Sequence, residues 1–147
     1  MDIVNTIIIE PFKSVGGFQL GDARKNIIKK FGKASLVTEN NIMENIKELR
    51  EAKELVYVKA GRTYVLDHVL CLKDTNPFIG DTNIFEAGLD RLKEIDGDFL
   101  ENDHYTTFRT LGISVGGLGN KKIPEKRLVI AWRPESLTIG EYFASEK

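Results

Sequence analysis

The sequence predicts an α+β fold: a mostly antiparallel sheet of about five or six strands with two or three helices packed on it. Three observations carry that expectation. Runs rich in Val, Ile, Tyr and Leu come in pairs around short Gly-containing turns, the pattern of β-hairpins. Other stretches repeat apolar residues at helical spacing between capping residues. The two kinds of element do not alternate as a doubly wound parallel sheet requires. With 147 residues, 41% hydrophobic and 29% charged, the chain suits one globular domain spanning 1–147.

Each element follows from local chemistry. "NTIIIEPF" is β-branched and halts at Pro11, as an edge strand or a strand end does. In "LGDARKNIIKKFG", Leu20, Ala23, Ile27, Ile28 and Phe31 recur at helical spacing, Asp22 is the expected N-cap and Gly32 the stop. "TENNIMENIKELREAK" aligns Ile42, Ile46 and Leu49 and predicts a second, partly exposed amphipathic helix. "ELVYVKAGRTYVLDHVLCLK" reads as a hairpin turning near Ala60-Gly61, expected at the centre of the sheet.

A helix capped by Asp81 or Asn83 is predicted next, with Ile84, Phe85, Leu89, Leu92 and Ile95 as its stripe and Gly97 as its end. Gly88 inside it costs about 1 kcal/mol relative to Ala. "HYTTFRTLGISVGG" and "KRLVIAW" supply strands joined by a Gly/Pro-flanked loop. Thr138 and Glu141 offer a capping box for a short last helix.

Composition narrows the function. Twenty-one basic residues stand against 22 acidic ones, so no net positive field speaks for a nucleic-acid or membrane partner. Cys71 is the single cysteine, which excludes an intramolecular disulfide and a cysteine zinc cluster. The N-terminus shows neither a basic leader nor a long apolar core, so the expected compartment is the cytoplasm.

"SVGG" occurs twice, at Ser14–Gly17 and Ser114–Gly117. The first copy lacks the Gly-Lys-Ser/Thr of a phosphate loop and reads as a strand-to-helix turn capped by Asp22. The second lies in Gly112-Ile113-Ser114-Val115-Gly116, which matches the nucleophile elbow G-x-S-x-G. Glycines and a proline follow it in place of a helix, and both histidines, His68 and His104, lie upstream. Ser114 is therefore read as part of a bent strand, and no catalytic residue is assigned. Neither histidine has metal-ligand spacing and no calcium-loop pattern occurs, so no metal and no cofactor are expected. "GNKKIPEKR" reads as a basic loop tip.

The segment "EIDGDFLENDH" and the residue after it combine acids with aromatics, a surface that steers and anchors a basic protein partner. Asp96, Asp98, Phe99, Glu101, Asp103, His104 and Tyr105 are its candidate partner-binding residues.

Pro11-Phe12, Gly17, Leu20-Gly21, the helix ending Phe31-Gly32, the helix at Ile84–Ile95 and "FRTLGIS" at Phe108–Ser114 together give a pattern. It resembles small bacterial immunity proteins, the cytoplasmic antitoxins of contact-dependent-inhibition and related polymorphic toxins. Some of these share a helix-then-sheet unit with the β-lactamase inhibitory protein and the SmpA/OmlA lipoproteins. The resemblance implies a protein without enzymatic activity that binds a cognate toxin domain and occludes its active site or substrate-docking surface. The alternative is a small ligand-binding or hydrolytic domain with a cleft near His104, Tyr105 and Ser114.

Overall fold

The computed structural model describes residues 6–145, so the reading of the extreme N-terminus falls outside the described residues. In chain order the elements are β1 (Thr6–Glu10), β2 (Ser14–Val15), β3 (Phe18–Gln19), α1 (Arg24–Phe31), β4 (Leu36–Asn40), β5 (Asn45–Arg50), β6 (Lys53–Ala60) and β7 (Thr63–Cys71). Then come β8 (Asn76–Ile79), β9 (Thr82–Asn83), α2 (Ile84–Ile95), β10 (Phe99–Glu101), β11 (Tyr105–Phe108), β12 (Ile113–Gly116), β13 (Leu128–Trp132), a 3₁₀ turn (Pro134–Ser136) and α3 (Leu137–Ala144).

The class is α+β, but the strands are more numerous than expected. Eight form an antiparallel sheet ordered β10-β11-β12-β13-β7-β6-β5-β4, and five short ones form a second sheet ordered β3-β2-β1-β8-β9. In the small sheet β1 is central rather than an edge, and it runs parallel to β8 with Ile7 beside Pro77. The β6–β7 hairpin lies inside the large sheet as predicted.

Strand alternation gives the large sheet two different faces. One, here the inner face, packs Leu55, Tyr57, Leu66, Val69, Phe108, Ile113 and Val115 against Ile7, Ile9 and Phe18 of the small sheet, Ile27 of α1, and Ile84, Phe85 and Leu92 of α2. The outer face carries a smaller cluster, Leu128, Ile130 and Trp132, covered by α3.

The predicted helix across residues 38–53 is absent; β4, a turn and β5 stand there instead. Asn40 explains the turn, since its Oδ1 accepts from the backbone N–H of Ile42 (3.1 Å) and Met43 (3.0 Å), an Asx turn that competes with helix. Beyond it the chain alternates, with Ile46 and Glu48 turned inward and Lys47 outward. Ile42, counted in the helical stripe, is 93% exposed at the hairpin tip.

Glu48 is fully buried because it ties α1 to the sheet. Its Oε2 accepts from Arg24 Nε (2.7 Å), and its Oε1 accepts from Arg50 Nε (2.9 Å) and Tyr57 OH (2.6 Å). Burial alone would raise its pKa, but the hydrogen bonds from Tyr57, Arg24 and Arg50 outweigh burial and hold the carboxyl below its ordinary range. The same burial and the Glu48 charge push the Tyr57 hydroxyl well up.

The N-terminal caps of α1 and α3 differ from expectation, and that of α2 agrees with it. The N-cap of α1 is Ala23, and Asp22 Oδ1 accepts from Ala23 N–H and Asn26 Nδ2 instead. Asn83 does cap α2 by accepting from Glu86 N–H, yet Gly88 at φ 80° breaks that helix internally, a conformation glycine takes at no steric cost. No capping box starts α3: Ser136 Oγ donates to Asp67 and Glu141 faces Arg109. The first "SVGG" is a two-residue hairpin turn between β2 and β3, with Gly16 and Gly17 both at positive φ, and not a strand-to-helix turn.

Candidate functional site

A groove of about 370 Å³ runs between the β10–β11 turn and the C-terminal end of α3, lined by Asn102, Asp103, His104, Tyr142, Phe143 and Ser145. Asn102 builds it. Its Oδ1 accepts from the N–H groups of His104 and Tyr105, both at 2.9 Å, closing the turn. Its Nδ2 donates to the carbonyls of Phe143 (2.7 Å) and Ser145 (3.1 Å), fastening α3 to that turn.

His104 is exposed, and its Nδ1 lies 2.9 Å from the Lys122 carbonyl. A carbonyl only accepts, so Nδ1 carries the proton. Asp103 is exposed and has no ion pair with any described residue. Tyr142 is 60% and Phe143 40% exposed, the latter stacked on Tyr105 at 5.9 Å between ring centroids. Burial, then the charge of Glu125, raises the Tyr105 hydroxyl pKa.

The residues singled out from the sequence separate across the sheet. Asp96 lies inside the protein: Oδ1 accepts from Asp98 N–H, and Oδ2 from Thr110 and Leu111 N–H, each at 2.9 Å. Its carboxylate joins the end of α2 to the β11–β12 turn and is spent on the fold. Phe99 and Glu101 point to the inner side, Phe99 against Phe108 with Lys93 over its ring, and Glu101 paired with Lys93 (2.9 Å) and Lys121 (3.5 Å). The Lys93 hydrogen bond is the main cause of a lowered Glu101 pKa. Asp98 is exposed but pairs with Arg109 at 2.8 Å. Only Asp103, His104 and, beneath Phe143, Tyr105 belong to the groove.

Tyr142 and Phe143 were missed, although two adjacent aromatics on a short helix cannot both face inward. Ser114 is fully buried under α3. Trp132 Nε1 donates to its Oγ (2.8 Å); Thr107 Oγ1 donates to the Gly140 carbonyl (2.6 Å) and so accepts from Ser114 (2.7 Å). The serine hydroxyl is committed on both sides, and it shares no cavity with His104.

His68 is partly exposed against Trp132, and its Nδ1 donates to Asp67 at 2.8 Å. Burial raises the Asp67 pKa, but hydrogen bonds from His68 and Ser136 and the nearby Arg133 charge bring the net shift downward. Cys71 is enclosed, which pushes its thiol up to about 12 and leaves it unreactive. Among the described residues no three His, Cys, Asp or Glu side chains converge on a metal-sized site, and no helix is long and apolar enough to cross a membrane.

The chain matches no protein-family model, no curated protein and no solved structure.

Proposed function

We propose that the chain is a binding protein without enzymatic activity that neutralises a cognate toxin domain in the bacterial cytoplasm by covering its working surface. The observation that supports this most is the groove: exposed Tyr142 and Phe143 next to the unpaired carboxylate of Asp103, held in shape by Asn102. Aromatic anchors supply most of an interface's energy, and a rim carboxylate steers encounter with a cationic partner. A basic site that grips RNA is the kind of surface such a groove complements. The groove alone is smaller than a stable interface of about 1,600 Å² in total, so the contact extends along α3 to Glu141, which faces Arg109 at 3.5 Å. The immunity proteins that the sequence resembles act in this way.

Co-expression with the product of the adjacent reading frame tests the proposal. Stable co-purification is expected, and Phe143→Ala should weaken the complex by about 2 kcal/mol while Asp103→Lys slows association. An isolated chain that turns over a substrate, with one groove residue abolishing turnover, would overturn it.

A further inference from the structure

We propose that the outward face of α1, continued by Arg62 on the β6–β7 turn, binds nucleic acid through its phosphate backbone. The near-zero net charge, which speaks against such a partner, is an average over regions of opposite sign. Between residues 24 and 33 there are five cations and no acid, whereas residues 81–103 hold eight acids and two cations. The helix turns Ile27 and Arg24 inward, the latter onto Glu48. What it shows to solvent is Lys25, Asn26, Lys29, Lys30 and, at its end, Phe31, with Lys33 just beyond.

Several surface cations elsewhere are matched, Lys59 with Glu44, Arg91 with Glu94, Lys93 with Glu101 and Arg109 with Asp98, while Lys13, Lys47, Lys73, Lys122 and Lys126 are exposed without an ion pair to a described residue but do not form a row along one helix. Lys25, Lys29, Lys33 and Arg62 have no ion pair with any described residue. Lys25 and Lys29 are four residues apart, a like-charge spacing that destabilises a helix. The fold keeps this repulsion uncompensated, and a polyanion would relieve it. Lys25 and Arg62, together with Arg24, Thr63 and Tyr64, also line a recess of about 270 Å³, where cations, a hydroxyl and an aromatic ring meet. A phosphate with its attached sugar or base satisfies that combination.

The chemistry favours nucleic acid over an anionic bilayer. A helix lying in a membrane surface needs a broad free apolar face, and α1 has Ile27 in the core, Ile28 half-buried and a single exposed ring, Phe31, at 41%. A row of cations about 6 Å apart along a helix also matches a linear polyanion better than the scattered acids of a protein surface. This surface is on the inner side of the large sheet, away from the groove under α3, so it stands or falls apart from the toxin-binding proposal.

Fluorescence anisotropy with a short labelled single-stranded RNA of mixed sequence tests it. Four phosphate contacts give a salt slope near −2.8, so affinity should fall about fiftyfold between about 50 mM and about 200 mM salt. The triple variant Lys25→Gln, Lys29→Gln, Arg62→Gln should bring the slope to about −0.7 and weaken binding at low salt by at least about tenfold, with an unchanged thermal midpoint. Asp103→Lys, on the other side, should not weaken binding. Absence of binding at low salt, or equal binding by the triple variant, would overturn the proposal. So would phosphatidylserine vesicles or polyglutamate competing as well as unlabelled RNA.

Discussion

The two faces of the large sheet are sealed in different ways. The inner face is closed by the small sheet and two helices around one broad apolar cluster, with the Glu48 carboxylate locked between two arginines and a tyrosine. The outer face has three buried apolar residues at its centre and relies on the eight-residue α3, docked through the Trp132–Ser114–Thr107–Gly140 network. A face closed by many elements opens only with global unfolding, whereas one closed by a single short helix opens locally. The groove lined by Asn102, His104 and Phe143 lies on the second kind, where α3 can shift.

The comparison breaks first at Glu48. Glu48→Ala leaves the guanidinium groups of Arg24 and Arg50 without their shared partner and should cost about 3–5 kcal/mol, read as a lower denaturation midpoint of the whole protein. Gly140→Ala should cost less, about 1–3 kcal/mol. The new Cβ would lie 2.5 Å from Trp132 Nε1 and 2.8 Å from Ser114 Oγ, within the helix–sheet contact. Hydrogen exchange should rise in α3 while β5, β6 and β7 stay protected. Uniform loss of protection would mean that the two faces are not independent.

Acid supplies a weaker, graded probe. Glu48 and Asp67 both have folded-state pKa values below their ordinary ones, so their contribution is complete above about pH 4.5 and is lost as pH falls through the folded values. Asp67 holds Ser136 and Arg133 at the entry to α3, so Asp67→Asn should remove part of the acid sensitivity from the outer face alone. Phe143 exposure during an acid titration monitored by hydrogen exchange separates the two groups. The smallest effect belongs to Asp103→Lys: stability should stay within about 0.5 kcal/mol, because the carboxylate is exposed and unpaired. A larger thermal shift would place Asp103 in the fold instead of the docking surface.

Much of the fold was legible because its strongest features are local. The β6–β7 hairpin is set by Gly61 at positive φ between two apolar runs, and the Asn83 cap and Gly32 stop work through bonds spanning three or four residues. Residues 38–53 misled because Ile42, Ile46 and Leu49 fit a helical period, while the inward residue that fixes the strand register is a glutamate, the last type expected in a core. The site was half legible. Of the acidic run, Asp103 and His104 line the groove, but alternation along β10 sends Phe99 and Glu101 to the other face, and Asp96 vanishes into backbone hydrogen bonds.

By itself the sequence determined the class, the central hairpin and the positions of α1 and α2, since each depends on neighbours a few residues away. Tertiary structure decided that Glu48 and Asp96 are interior, that Ser114 is sealed beneath Gly140, and that Asp103 meets Tyr142 and Phe143. Those outcomes rest on partners 24, 14, 33 or more residues away. The free energy that makes burying a charge or exposing a ring tolerable comes from contacts that exist only once the sheet has closed.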